Sequence, residues 1–184
     1  RVACGLLLAA WNPRINQRRE EHSMKVSKLM TPSPVHACHA ETTLNEACQL
    51  LWDHDCGILP VVDDEARVVG TITDRDICMA AYTTNQPLSN LPVERAMAHQ
   101  VFTCKDSDDL TRALQLMQAN RIRRLPVVDG EERLVGLLSL NDLALGARSG
   151  SVDRKQLADT MAAICEPRPR EEVAAPEPEL VAAS

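Results

Sequence analysis

The sequence predicts an α+β fold in which two β-α-β-β-α repeats pack on each other about a pseudo-two-fold axis. Three observations lead there. Leu59-Pro60-Val61-Val62-Asp63 returns as Leu125-Pro126-Val127-Val128-Asp129, an offset of 66 residues. The same offset holds without a gap from Val35/Val101 to Ile77/Leu143, and 16 of those 43 pairs are identical. Each copy runs through helical periodicity, two β-branched stretches and a second helical stretch. The core must be aliphatic, because 45% of the residues are hydrophobic and only 2% are aromatic. A unit of roughly 50 residues buries too little surface to be comfortable alone, so the copies should pack together.

From the N-terminus, Val2 to Trp11 is a short apolar run followed by polar Asn12 to Ser23. It lacks the small-residue cleavage pattern of a good signal peptide. Residues 1–23 are therefore expected to be a leader or vector-derived segment, disordered, with Met24 as the native start. The first repeat spans 26–82. Val35–Cys38 is a short extended piece, and Leu44, Ala47, Cys48 and Leu51 place an apolar stripe on one helical face. Ile58–Val62 and Val68–Thr73 read as a hairpin joined by an Asp/Glu-rich turn. Asp74–Tyr82 is the closing helix. Residues 83–92 are the linker, rich in Asn, Gln, Ser and Pro.

The second repeat, 93–149, repeats this order. Val101–Cys104 is extended, Leu110, Ala113, Leu114 and Met117 stripe a helix, Leu125–Val128 and Leu134–Ser139 pair, and Leu140–Ala147 closes the unit. Leu29-Met30-Thr31-Pro32 and Ala96-Met97-Ala98 are equivalent lead-ins, one residue out of register with the main offset. Within 150–165 a C-terminal helix should put Leu157, Met161 and Ile164 on one side. Residues 166–184 hold five Glu and two Arg among Pro and Ala, and are expected to be a disordered tail.

Several function classes are disfavoured. A net charge of −6 gives no footprint for nucleic acid, and no apolar run approaches the roughly 18 residues of a membrane span. The seven cysteines are odd in number and lack C-x-x-C spacing, which argues for reduced thiols in the cytoplasm rather than a disulfide framework or zinc ribbon. Cys48 and Cys78 fall where helical faces should be apolar. Cys38 and Cys104 are repeat equivalents, read as buried inert thiols. His36 and Cys38 would face one way on a strand and His39 the other, so no metal site is expected. No nucleophile elbow, P-loop or His-Glu-x-x-His occurs, and no catalytic residue is assigned.

The motifs with chemical content are Thr73-x-x-Asp76 and Ser139-x-x-Asp142. Each follows an apolar strand and opens a helix, where free N–H groups and the dipole favour anionic or polar ligand groups. The same spacing is a capping box, expected at helix starts with no ligand present. Capping and binding can coexist.

The sequence resembles tandem CBS domains, the pair called a Bateman module. The residues carrying the likeness are Leu-Met-Thr-Pro at 29–32, Leu-Pro-Val-Val-Asp at 59–63 and 125–129, Gly-Thr-Ile-Thr-Asp-Arg-Asp at 70–76 and Gly-Leu-Leu-Ser-Leu-Asn-Asp at 136–142. It covers about residues 26–149, and free-standing bacterial pairs look nearest. The resemblance implies binding of AMP, ADP, ATP or S-adenosylmethionine between the repeats, homodimers, and an unknown effector protein. Asp76 and Asp142 would then grip ribose hydroxyls, with Thr73 and Ser139 near phosphate or ribose. Arg123 and Arg124, immediately before Leu-Pro-Val, would reach phosphate, where forked guanidinium donors fit well. Arg75 is a further candidate; a solvated cluster paired with acids is the alternative. The first copy has Asp55-Cys56-Gly57-Ile58 in that place and lacks the basic pattern. Adenine would need an apolar slot, Val35, Ile58 and Pro60 in one site and Val101, Leu125 and Pro126 in the other. The expected function is a regulatory adenine-nucleotide sensor. The alternative is a ligand-free scaffold for homodimerisation or partner docking.

Overall fold

The computed structural model describes residues 24–167; the expected leader and most of the expected tail lie outside the described residues. Five α-helices and six strands appear among the described residues. Repeat 1 contributes α1 (Leu44–Asp53), β2 (Leu59–Val62), β3 (Val68–Ile72) and α2 (Asp74–Thr84). Repeat 2 contributes β4 (Cys104–Lys105), α3 (Leu110–Asn120), β5 (Arg124–Val128), β6 (Leu134–Ser139) and α4 (Leu140–Ser149). The lead-in strand β1 (Thr31–Pro32) precedes them and α5 (Arg154–Cys165) follows.

Each Leu-Pro-Val-Val-Asp motif builds one strand of a hairpin and its turn. β2 pairs antiparallel with β3 through Leu59↔Ile72, and β5 with β6 through Leu125↔Leu138. The Asp63 carboxylate accepts from the N–H groups of Glu65 and Arg67 at 3.1 and 2.8 Å. Asp129 does the same for Glu131 and Arg133 at 2.8 and 3.0 Å. Such local side-chain acceptors are why Asp closes turns.

The lead-ins are exchanged between the repeats. β1 pairs with β6, Thr31 opposite Leu137 and Pro32 opposite Gly136, giving a sheet of order β1-β6-β5-β4. Val26 is fully buried in the repeat 2 core. Its N–H donates to the Asp108 carbonyl at 3.0 Å, and Leu110 N–H donates to Met24 O at 2.8 Å. The arrangement is mirrored in repeat 1. Val93 and Leu91 are buried there, Val93 N–H donates to Thr42 O, Leu44 N–H donates to Leu91 O, both at 2.8 Å, and Ala98 bridges Thr71. The stretch 83–92 is thus tied down at its end by Leu91. Gly136 and Gly70 permit the crossing. A Cβ on Gly136 would lie 2.7 Å from Met30 Sδ and 2.8 Å from Thr31 O, and one on Gly70 would lie 2.7 Å from Met97 Sδ.

Two aliphatic cores result, one per repeat. Leu44, Ala47 and Leu51 on α1 and Leu110, Ala113, Leu114 and Met117 on α3 are buried in them as the stripes predict. Cys48 and Cys78 depart from expectation: both are exposed. Leu114, which corresponds to Cys48, is buried because α5 packs across α3, and among the described residues α1 has no such cover. On α5 the inward residues are Leu157, Thr160 and Ile164, while Met161, expected on that side, is 46% exposed. Thr160 is tolerated in the core because its hydroxyl donates to Gln156 O and accepts from Gln118 Nε2 at 2.7 Å.

Candidate functional site

Two clefts lie between the repeats, and most of their linings correspond at the 66-residue offset. The first, about 280 Å³, has Ser139, Asn141 and Asp142 at the start of α4 on one wall. Val35, His36 and the loop Asp55-Cys56-Gly57-Ile58 of repeat 1 form the other. Pro34 and Leu137 add apolar surface, and Thr31 and Arg124 complete the lining. The second cleft, about 660 Å³, has Thr73 and Arg75 at the start of α2, Arg121-Ile122-Arg123-Arg124 of repeat 2, Ile58, and Ile164 from α5. Each cleft therefore joins the helix start of one repeat to the strand entrance of the other.

The helix starts are built alike. Asp142 Oδ2 accepts from the Ser139 N–H at 2.8 Å and the Ser139 hydroxyl at 2.6 Å, and Ser139 Oγ accepts from Asp142 N–H at 3.3 Å. Asp76 Oδ2 accepts from Thr73 N–H and Oγ1 at 2.9 and 2.6 Å. Both are complete capping boxes, so one carboxylate oxygen is committed to the helix in each. The other oxygen differs. Asp142 Oδ1 accepts from Thr31 Oγ1 at 3.2 Å, whereas Ala98 stands in the mirrored lead-in position and carries no hydroxyl.

Of the residues singled out in the sequence, Ser139, Asp142, Val35, Ile58 and Arg124 meet in the first cleft. Thr73, Arg75, Arg123, Arg124 and Ile58 meet in the second. Asp76 is half-buried in the cap beneath Thr73. Pro60 in β2 and Leu125 and Pro126 in β5 are buried strand residues that line neither cleft, and Val101 is half-buried outside both. The apolar wall of the first cleft comes instead from Pro34, Val35, Ile58 and Leu137. Thr31, His36, Asp55, Asn141 and Leu137 line the first cleft without having been named as ligand contacts from the sequence. His36 lies flat on His54, ring centroids 3.4 Å apart and planes within 8°. The 66-residue offset could have found Asn141, as the partner of Arg75; Thr31 stands in the Leu-Met-Thr-Pro lead-in, but its place beside Asp142 depends on the lead-in exchange.

Gly57 gives Arg124 its room: a Cβ there would sit 3.3 Å from Arg124 Nη2. Arg121 pairs with Glu166 at 3.5 Å and donates to Pro167 O at 3.1 Å. Cys38 and Cys104 are buried, and burial pushes their thiols up to about 11 and about 12. A neutral buried thiol is a poor nucleophile. Among the described residues no three His, Cys, Asp or Glu side chains gather as a metal site, and no helix is long and apolar enough to cross a membrane.

The family model for the CBS domain matches residues 26–82 and 93–146. An uncharacterized 17.7 kDa protein of Acidianus ambivalens is 37% identical over 120 residues, 65% of this chain and 71% of that one. Among solved structures, the CBS domain pair of protein MJ0100 in complex with 5′-methylthioadenosine and S-adenosyl-L-methionine aligns with a TM-score of 0.62 and 26% identity. It covers 70% of this chain and 98% of that one. CBSX2 of Arabidopsis thaliana, solved in complex with AMP, aligns with a TM-score of 0.60 and 29% identity, over 68% of this chain and 96% of the other.

Proposed function

Because this chain belongs to the CBS-domain family, with two copies in tandem, we propose that it is a regulatory module that binds an adenine nucleotide or related adenosyl ligand between its repeats and catalyses nothing itself. The observation that carries the reading is Asp142, whose carboxylate lines a cleft walled by Val35, Ile58 and Leu137. Oδ2 is spent on the helix cap, and Oδ1 holds only a 3.2 Å bond from Thr31, long for O–H···O. A ribose hydroxyl can take that acceptor while the purine lies on the aliphatic wall. The solved pairs bound to AMP and to adenosyl ligands support the ligand class. A ligand spanning both repeats acts by preferring one inter-repeat geometry, which an effector protein reads. The module works in the cytoplasm as a homodimer.

One observation favours the scaffold reading instead. Both oxygens of Asp142 already have partners without any ligand, so this acid serves folding by itself. Calorimetry with AMP, ADP, ATP, NAD and S-adenosylmethionine separates the two. For a sensor, Asp142→Ala weakens at least one ligand by tenfold or more. Loss of the cap alone costs about 1 kcal/mol and lowers Tm by only about 2–4 °C. A wild-type chain that ignores the whole panel leaves the scaffold.

A further inference from the structure

The two clefts differ in charge at three positions where the duplicated copies diverge around them. Position by position, Asp55 of the first cleft corresponds to Arg121 of the second, Gly57 to Arg123 and Asn141 to Arg75, while Ile58 and its counterpart Arg124 line both. Each change in that direction adds a guanidinium. The second cleft consequently gathers four arginines and no lining acid, in about 660 Å³. The first holds one arginine against Asp55 and Asp142, in about 280 Å³. Among the described residues, Arg75, Arg123 and Arg124 make no ion pair with an acid, and only Arg121 is answered, by exposed Glu166 at 3.5 Å. Uncompensated guanidinium groups converging on one cavity are suited to an extended polyanion, whose oxygens can be shared among their forked donors. Two carboxylates, one on each wall of the first cleft, repel the same anion.

We propose that the clefts divide their ligands by charge: the arginine-rich cleft takes a nucleoside carrying two or three phosphates, and the Asp142 cleft takes a nucleoside with at most one. This rests on the nucleotide-binding reading above and adds a selectivity that a plain pair of equivalent sites would not have. Arg124 lines both clefts, and leans over Gly57 toward the first. Its neighbours Arg75 and Arg123 serve the second cleft alone.

The test uses the whole chain and isothermal titration with ATP and AMP. Wild type should bind one ATP tightly, with AMP favouring the other cleft. Arg75→Asn with Arg123→Gly gives the second cleft the residues of the first at exposed positions, and should weaken ATP by about 100-fold while AMP changes less than threefold; each lost charge-assisted contact accounts for about tenfold. Asp55→Arg makes the converse change. The backbone tolerates it, since Asp55 and Arg121 share left-handed φ values of 47° and 51°. It should add a second ATP per chain. Equal losses of AMP and ATP in the double variant, or two equivalent ATP sites in wild type, overturn the division and leave nucleotide binding intact. No binding of either ligand overturns both.

Discussion

Arg67 and Arg133 bridge each other antiparallel across the repeat interface, and they are the same residue of the two copies, 66 positions apart. The pseudo-two-fold axis therefore passes between them. Each turns back to its own hairpin: Arg67 Nε to Asp63 at 3.0 Å and Arg133 Nε to Asp129 at 2.9 Å. Glu65 pairs with Arg67 Nη2 at 2.8 Å and Glu131 with Arg133 Nη1 at 3.0 Å.

This seam should weaken in acid. The Arg67 backbone N–H holds the Asp63 carboxyl below the ordinary range, and Arg133 does so for Asp129. A carboxyl depressed by folding contributes stability above its unfolded pKa and loses it as pH falls through the lower folded value. Melting scans from pH 7 to about 3 should show a drop beginning near pH 4. Asp63→Asn with Asp129→Asn should flatten it. Parallel wild-type and variant curves would count against the assignment.

Gly136→Ala should strike fold and site together. Its Cβ meets Met30 Sδ and Thr31 O, so β1 must move off β6, at a cost of about 1–3 kcal/mol by denaturant unfolding. Thr31 moves with it, so the ligand of the Asp142 cleft should change affinity while ATP in the arginine-rich cleft holds. Unchanged stability would show that the exchanged lead-in does not grip.

Thiol reactivity should divide by burial. Cys48, Cys78 and Cys165 are exposed and should react with a disulfide reagent at pH 8 within minutes. Cys38 and Cys104, held protonated by burial, should react only on unfolding. Rapid native modification of either would revive a redox role.

A second copy should cover α1. Cys48 and Trp52 correspond to Leu114 and Gln118, the α3 face on which α5 lies. The duplicate fold thus indicates that an amphipathic helix suits this face, yet Trp52 is 85% exposed. Light scattering should find a dimer that Trp52→Gln, the residue of the other copy, weakens at least tenfold. A monomeric wild type would remove the homodimer.

Local pattern wrote much of this structure into the chain. The duplication, the hairpins closed by Asp63 and Asp129, and the helix starts at Thr73/Asp76 and Ser139/Asp142 follow from contacts within a few residues, which spacing encodes. The α1 and α3 stripes were legible for the same reason. Periodicity names an apolar face but not what covers it. Leu114 is buried and Cys48 exposed because α5 lies over α3 and, among the described residues, no counterpart of α5 lies over α1; Thr160, not Met161, faces inward, where Gln118 donates to its hydroxyl. The cleft walls were less legible still. Thr31 reaches Asp142 across 111 positions only because each lead-in packs on the opposite repeat, a choice made by long-range burial of Val26 and Val93.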